Sequence, residues 1–80
     1  MKIYLLSKEN RKGDKIPLEA FTSRDVAISR ATDIIYKHST LEDRQSRIEV
    51  SEYSYDYTTL SLYTSEHGLL QLSIKGLPLT

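Results

Sequence analysis

The first apolar positions of the chain form a block, Ile3-Tyr4-Leu5-Leu6, with no polar residue between them. A run this short and this apolar reads as a strand set within a sheet and covered on both faces. Residues 8–15 are polar and hold the turn signal Gly13-Asp14. Ile16 to Ala20 then reads as a second short strand folded back on the first. Pro17 belongs at a sheet edge or at the strand start, because proline donates nothing to a ladder. After Phe21 the period changes. Ala27, Ala31, Ile34, Ile35 and His38 recur at i, i+4, i+7, i+8 and i+11, one stripe of a helix, which Val26 and Ile28 widen at its start. The spacing predicts a helix over 23–38. Thr22 or Ser23 serves as N-cap. With Thr22 in that role, Asp25 falls at N3 in an approximate capping box, and Phe21 is placed to staple onto the first turn. Lys37 and His38 suit the negative end of the helix.

Residues 39–46 are polar, and strict alternation begins after them. Ile48 and Val50 point one way, Glu49 and Ser51 the other. Leu60 and Leu62 are the next inward pair, with Thr59, Ser61 and Tyr63 outward. Ser65-Glu66-His67-Gly68 is a turn with glycine where a positive φ is needed. Leu70, Leu72 and Ile74 complete the last strand, with Gln71, Ser73 and Lys75 outward, and Gly76 to Thr80 reads as a tail. The element order is β-β-α-β-β-β in a single domain, 1–80: an α+β fold, a small antiparallel sheet of about four to five strands with one helix packed on one face. The opposite face has no second helix to cover it.

Composition narrows what such a domain does. The chain of 80 residues has no Cys, which removes a disulfide scaffold, a thiolate zinc site and a cysteine nucleophile. Apolar runs are far shorter than the roughly 20 residues of a membrane-spanning helix. The apolar start at Met1 to Leu6 is too short for a signal peptide and leads into no small-residue cleavage site. A cytoplasmic setting in a bacterial host is the expectation. Formal net charge is zero, which argues against a bulk nucleic-acid binder. The charge is unevenly placed, however: residues 1–30 hold seven basic and four acidic side chains, and residues 31–80 hold four and seven. Lys8, Arg11, Lys12 and Lys15 form a basic cluster, and the 48–66 stretch has Glu49, Glu52, Asp56 and Glu66 with no Lys or Arg. Such bipolarity can steer a partner, although solvated charge on loops gives the same pattern.

No enzyme, metal site or cofactor is expected. His38 ends the helix and His67 lies in a turn, short of the three or four convergent ligands zinc needs. No serine stands in Gly-x-Ser-x-Gly. The carboxylate pairs Glu42-Asp43 and Glu49/Glu52 lack apolar surroundings that would split their pKa values. Gly13, Gly68 and Gly76 make no phosphate-cradling loop.

The stronger signal is aromatic. Tyr53-Ser54-Tyr55-Asp56-Tyr57 repeats a ring at period two, and Tyr63 falls across a hairpin from them. On a regular strand these rings share the face opposite Ile48 and Val50; a bulge near Glu52 reverses that. Tyrosine gives large, rigid contact area with a polar tip, which suits protein recognition. It is equally a good strand former on a half-buried face. The expected contact surface is Tyr53, Tyr55, Tyr57 and Tyr63 rimmed by Glu49, Glu52 and Asp56, with Lys8, Arg11 and Lys12 as a second contact. The acidic rim repels phosphate, so base stacking on the rings is disfavoured. A homodimer through the tyrosine face is the alternative.

Met1-Lys2, a short apolar strand with Tyr4, a charged loop, Glu19-Ala20-Phe21-Thr22 and a helix opening Arg24-Asp25-Val26-Ala27 resemble members of the type I-F anti-CRISPR group of small phage-encoded inhibitors. The resemblance covers residues 1–32, which are mainly scaffold. It implies a non-enzymatic inhibitor that binds a host protein complex such as a CRISPR surveillance complex. It carries over no specific contact residue.

Overall fold

The computed structural model describes residues 2–10, 12–40, 43, 47–66 and 68–78. Its elements are β1 (Lys2–Glu9), β2 (Lys15–Phe21), α1 (Arg24–Lys37), β3 (Glu49–Ser54), β4 (Tyr57–Thr64) and β5 (Gly68–Pro78). The five strands form one antiparallel sheet in the order β2-β1-β5-β4-β3. The last strand is therefore the centre of the sheet, and β2 and β3 are its edges. Class and order are those the periodicity predicts.

Helix α1 lies across β5, β1, β2 and β4. Its buried positions are Ala27, Ala31 and Ile35, spaced by four, with Ile28 and Ile34 partly buried beside them. Alanine at two of these three positions lets the helix backbone come close to the strands. The sheet answers with Tyr4, Leu6, Leu60, Leu62, Leu72 and Ile74. Full burial of each Leu or Ile is worth about 1.5–3 kcal/mol, so this single layer accounts for most of the hydrophobic driving force. Val26 does not join it and stands exposed, because it sits a quarter-turn off the buried stripe. Ser23 is the N-cap: its Oγ accepts from the Val26 amide at 3.4 Å. That choice excludes the capping box drawn from Thr22. His38 is the C-cap and is exposed, not part of the buried stripe.

Two boundaries differ from the sequence pattern. β1 runs on to Glu9, and it is covered on one face only: Tyr4 and Leu6 lie under the helix, while Ile3 and Leu5 are half-buried with no layer above them. β5 does not stop at Ile74. Residues Gly76 to Pro78 continue it, because Lys2, Ile3 and Tyr4 pair with Pro78, Leu77 and Gly76. A segment that reads as a tail is thus recruited as strand by the start of β1. Pro17 does lie on an edge strand, opposite Ser7, next to a register shift that leaves Leu18 without an opposite residue.

Candidate functional site

Among the described residues no element packs on the face of the sheet away from α1. Register fixes what lies on it. One row crosses the sheet as Pro17, Ser7, Ser73, Thr59 and Ser51. The rows beside it carry Leu5, Lys75 and Tyr57 on one side, and Gln71, Ser61 and Glu49 on the other. Beyond these, Tyr63 pairs with Leu69. The centre is thus a floor of small hydroxyl side chains, and the large groups stand around it. Tyr53 and Tyr63 are each 72% exposed and Leu69 is 57% exposed.

Lys15 reaches over this floor from β2. Its Nζ donates to the Tyr57 hydroxyl at 2.5 Å and lies 4.5 Å from the Tyr57 ring centre. Tyr53 meets the same ring edge-on, with centroids 5.6 Å apart. A cation and two rings are thus held together as one ordered cluster.

The five-residue tyrosine run is not one strip. Tyr53 ends β3, Tyr55 and Asp56 form the turn, and Tyr57 opens β4, paired with Ser54. Among the described residues, Tyr55 and Asp56 included, none other than glycine has a positive φ, so this two-residue turn is not of the I′ or II′ kind. A register shift between Glu52 and Ser54 accompanies it, as expected where the turn does not match strand twist. The bulge leaves Tyr53 and Tyr57 together on the open face. Tyr55, 69% exposed, goes to the helix side.

The acidic rim is divided by ordinary alternation, since the register is regular from Glu49 to Glu52. Glu49 is on the open face, opposite Ser61. Glu52 accepts from Arg24 Nη2 at 2.8 Å, and Arg24 also donates to Thr58 Oγ1 at 3.0 Å. Asp56 pairs with Lys2 Nζ at 2.6 Å, and its backbone oxygen accepts from the Gly76 amide at 2.7 Å. The Tyr55 ring sits 5.8 Å from Lys2 Nζ and 5.3 Å from the Arg24 guanidinium. Glu52 and Asp56 therefore answer cations of their own chain. The Glu52 contact first, then its charge, raises the Arg24 pKa, and the Asp56 contact raises that of Lys2. Burial, then the Tyr55 contact, raises the Tyr4 hydroxyl. This cluster ties the β3–β4 turn to the start of β1 and the start of α1. Gly76 is its seam: a Cβ there would come 2.8 Å from Asp56 Oδ1.

The basic cluster also disperses. Lys8 is on the helix side of β1, at the mouth of a groove of about 450 Å³ beside α1. Lys12 is exposed in the β1–β2 loop, where Asn10 Oδ1 accepts from the amides of Lys12 and Asp14. Arg11 lies outside the described residues, as do Glu42 and His67. Asp43 is a structural anchor: its carboxylate accepts from the amides of Thr40 and Ser65 at 3.0 and 3.1 Å. These bonds, the Thr40 one foremost, hold its pKa below the ordinary value. Among the described residues no group of three or more acids and histidines converges as a metal site, and no helix is long and apolar enough to cross a membrane.

The sequence pattern does not single out Lys2, Arg24 or Leu69. For Leu69 a signal exists: an apolar residue beside Leu70, out of phase with the Leu70-Leu72-Ile74 row. For Lys2 and Arg24 none does, since their partners are more than 25 residues away.

No family model, curated protein or solved structure matches this chain.

Proposed function

We propose that the protein is a non-catalytic protein-binding module that docks through the helix-free face of its sheet, with Tyr53, Tyr57 and Tyr63 as anchors. One observation carries this reading. Two tyrosines and Leu69 stand exposed around a floor of small hydroxyls on a face that no other element covers among the described residues. Rigid amphipathic rings around a flat polar centre are the composition of recognition surfaces. The Lys15–Tyr57 contact and the edge-on Tyr53 ring lower the entropy lost on binding. Tyr55, Glu52 and Asp56 leave the proposed surface, because they serve contacts within the chain. The partner is a host protein complex; its narrower identity as a CRISPR surveillance complex rests on the resemblance of residues 1–32 alone.

Affinity capture from bacterial lysate containing assembled CRISPR complexes tests both levels, run beside a Tyr53→Ser/Tyr63→Ser variant. One complex held by the wild type and released by the variant supports docking through this face, and the identity of that complex decides the narrower reading. Equal recovery by both proteins removes this face from the proposal. A concentration-independent dimer in light scattering, lost in the variant, assigns the face to self-association instead.

A further inference from the structure

The open face of the sheet holds a shallow depression of about 480 Å³, lined by Glu9, Tyr53, Tyr57, Thr59 and Gln71. Tyr53 and Tyr57, their rings at 84° to each other, make its lining partly aromatic. The rest of the lining is polar and unsatisfied. Among the described residues the Glu9 carboxylate, the Thr59 hydroxyl and the Gln71 amide have no side-chain hydrogen bond or ion pair within the chain. Thr59 is only 6% exposed, yet its unpartnered hydroxyl is not sealed from solvent, so the depression is its outlet.

Glu9 differs in this from the acids on the helix side. Glu19 has Arg30 at 3.6 Å, Glu52 has Arg24 and Asp56 has Lys2. The cation nearest Glu9 in register is Lys15, its cross-strand neighbour. Its ammonium is carried off to the hydroxyl and ring of Tyr57. Lys75, opposite Tyr57, does not line the depression. The pit therefore pairs a carboxylate lacking a counter-charge with exposed aromatic surface.

We infer that this depression receives an arginine side chain of the partner protein. The inference rests on the reading that the helix-free face docks a protein, and it names the chemistry at the middle of that contact. What the pit offers is acceptors and rings: a carboxylate, an amide oxygen, a hydroxyl oxygen and two tyrosines. A guanidinium answers all of them. It holds five donors in one plane, meets a carboxylate at two points and stacks on an aromatic ring. Tyr53, 72% exposed, supplies the ring, since Lys15 already occupies Tyr57. Lysine offers three donors and no plane. An acidic side chain is repelled by Glu9. An apolar one would desolvate Glu9 and Thr59 and give them no partner.

The probe is N-acetyl-Gly-Arg-Gly-amide, titrated at low ionic strength into the ¹⁵N-labelled full chain. Two control peptides carry lysine or citrulline in place of arginine; citrulline keeps the shape and loses the charge. The arginine peptide should give saturable shifts at the Gln71 side-chain amide and the Thr59 backbone amide, and the citrulline peptide none. Glu9→Gln should weaken binding about tenfold, and Tyr53→Leu about threefold. Unmoved signals elsewhere in each variant show that it is folded. No saturable shift at these two positions overturns the inference. So do equal shifts with citrulline, equal binding of the lysine peptide, and undiminished binding by Glu9→Gln. Affinity capture repeated with Glu9→Gln separates this failure from that of the docking reading. A complex released by Tyr53→Ser/Tyr63→Ser and kept by Glu9→Gln leaves the face standing and removes the arginine. A complex kept by both variants removes both.

Discussion

On the helix side of the sheet, Leu6, Leu60 and Ile74 are sealed beneath Ala27, Ala31 and Ile35, with exposures of 0 to 1%. On the other side Ser7, Ser73 and Thr59 are only 3 to 6% exposed with no element above them among the described residues. The two faces reach similar burial by different physics. The first excludes water by close packing of aliphatic groups and is intolerant of lost volume. The second is shaded by long side chains: Lys15, Tyr57 and Tyr53 lean over small residues. A face closed by side chains alone can open toward a partner with little loss of stability, whereas a face closed by a helix cannot.

The largest test of that contrast removes volume from each side. Ile35→Ala deletes a fully buried side chain from the helix interface and should cost about 3 kcal/mol. In a domain of this size that lowers Tm by more than about 10 °C. Tyr63→Ser, on the open face, should stay within about 0.5 kcal/mol. Urea melts of the two variants measure both, and comparable losses would end the distinction.

Next in size is the cluster at the β3–β4 turn, which reaches the helix side from the sheet edge. The Arg24 side chain is only 17% exposed, while its partner Glu52 is 60% exposed. Arg24→Ala removes packed stem, the Thr58 bond and the cation beside Tyr55, and should cost about 1–2 kcal/mol. Glu52→Gln removes a solvent-screened pair and should cost less than about 0.5 kcal/mol. Equal effects would mean that charge, and not packing, holds this corner.

Asp43 gives a readout independent of both faces. Hydrogen bonds from Thr40 and Ser65 depress its folded pKa below the model-compound value of 3.8. A depressed carboxylate contributes stability above its unfolded pKa and loses it as pH falls through the folded pKa. Acid unfolding of the wild type should therefore include a component below about pH 4 that Asp43→Asn lacks. Lys2 has the opposite sign. Its pKa is raised by Asp56, so its contribution is present below the unfolded value and is lost as pH climbs past the folded one. An identical acid limb in Asp43→Asn would place the anchor elsewhere.

How much of this is legible in sequence follows from the range of each interaction. The helix and the inward rows of β4 and β5 depend on local periodicity, and Ala27, Ala31, Ile35, Leu60, Leu72 and Ile74 are read directly from it. The tyrosine run is not, because its meaning turns on one irregular residue. With the shift at Tyr53 two rings stay on the open face and Tyr55 crosses to the other side; no propensity marks that position in advance. Glu52 and Asp56 are taken by Arg24 and Lys2, partners 28 and 54 residues away, which no local pattern reveals. The continuation of β5 through Gly76 is equally hidden, since it is imposed by β1. The candidate surface was visible as chemistry and hidden as geometry.

The smallest expected effect probes how the open face stays closed. Lys15 touches Tyr57 through both its ammonium and its position over the ring. An exposed contact of this kind is worth about 0.5–1 kcal/mol. Lys15→Met keeps a long apolar side chain and discards the charge; Lys15→Ser discards both. If the side chain shades the hydroxyl row by its length, Lys15→Met should retain slow amide exchange at Ser7 and Ser73 while losing only a few tenths of a kcal/mol, and Lys15→Ser should speed that exchange. If the charge on Tyr57 is what matters, the two variants will exchange alike. The first outcome describes a cover held by the length of the lysine side chain, the second a cover held by its charge on Tyr57.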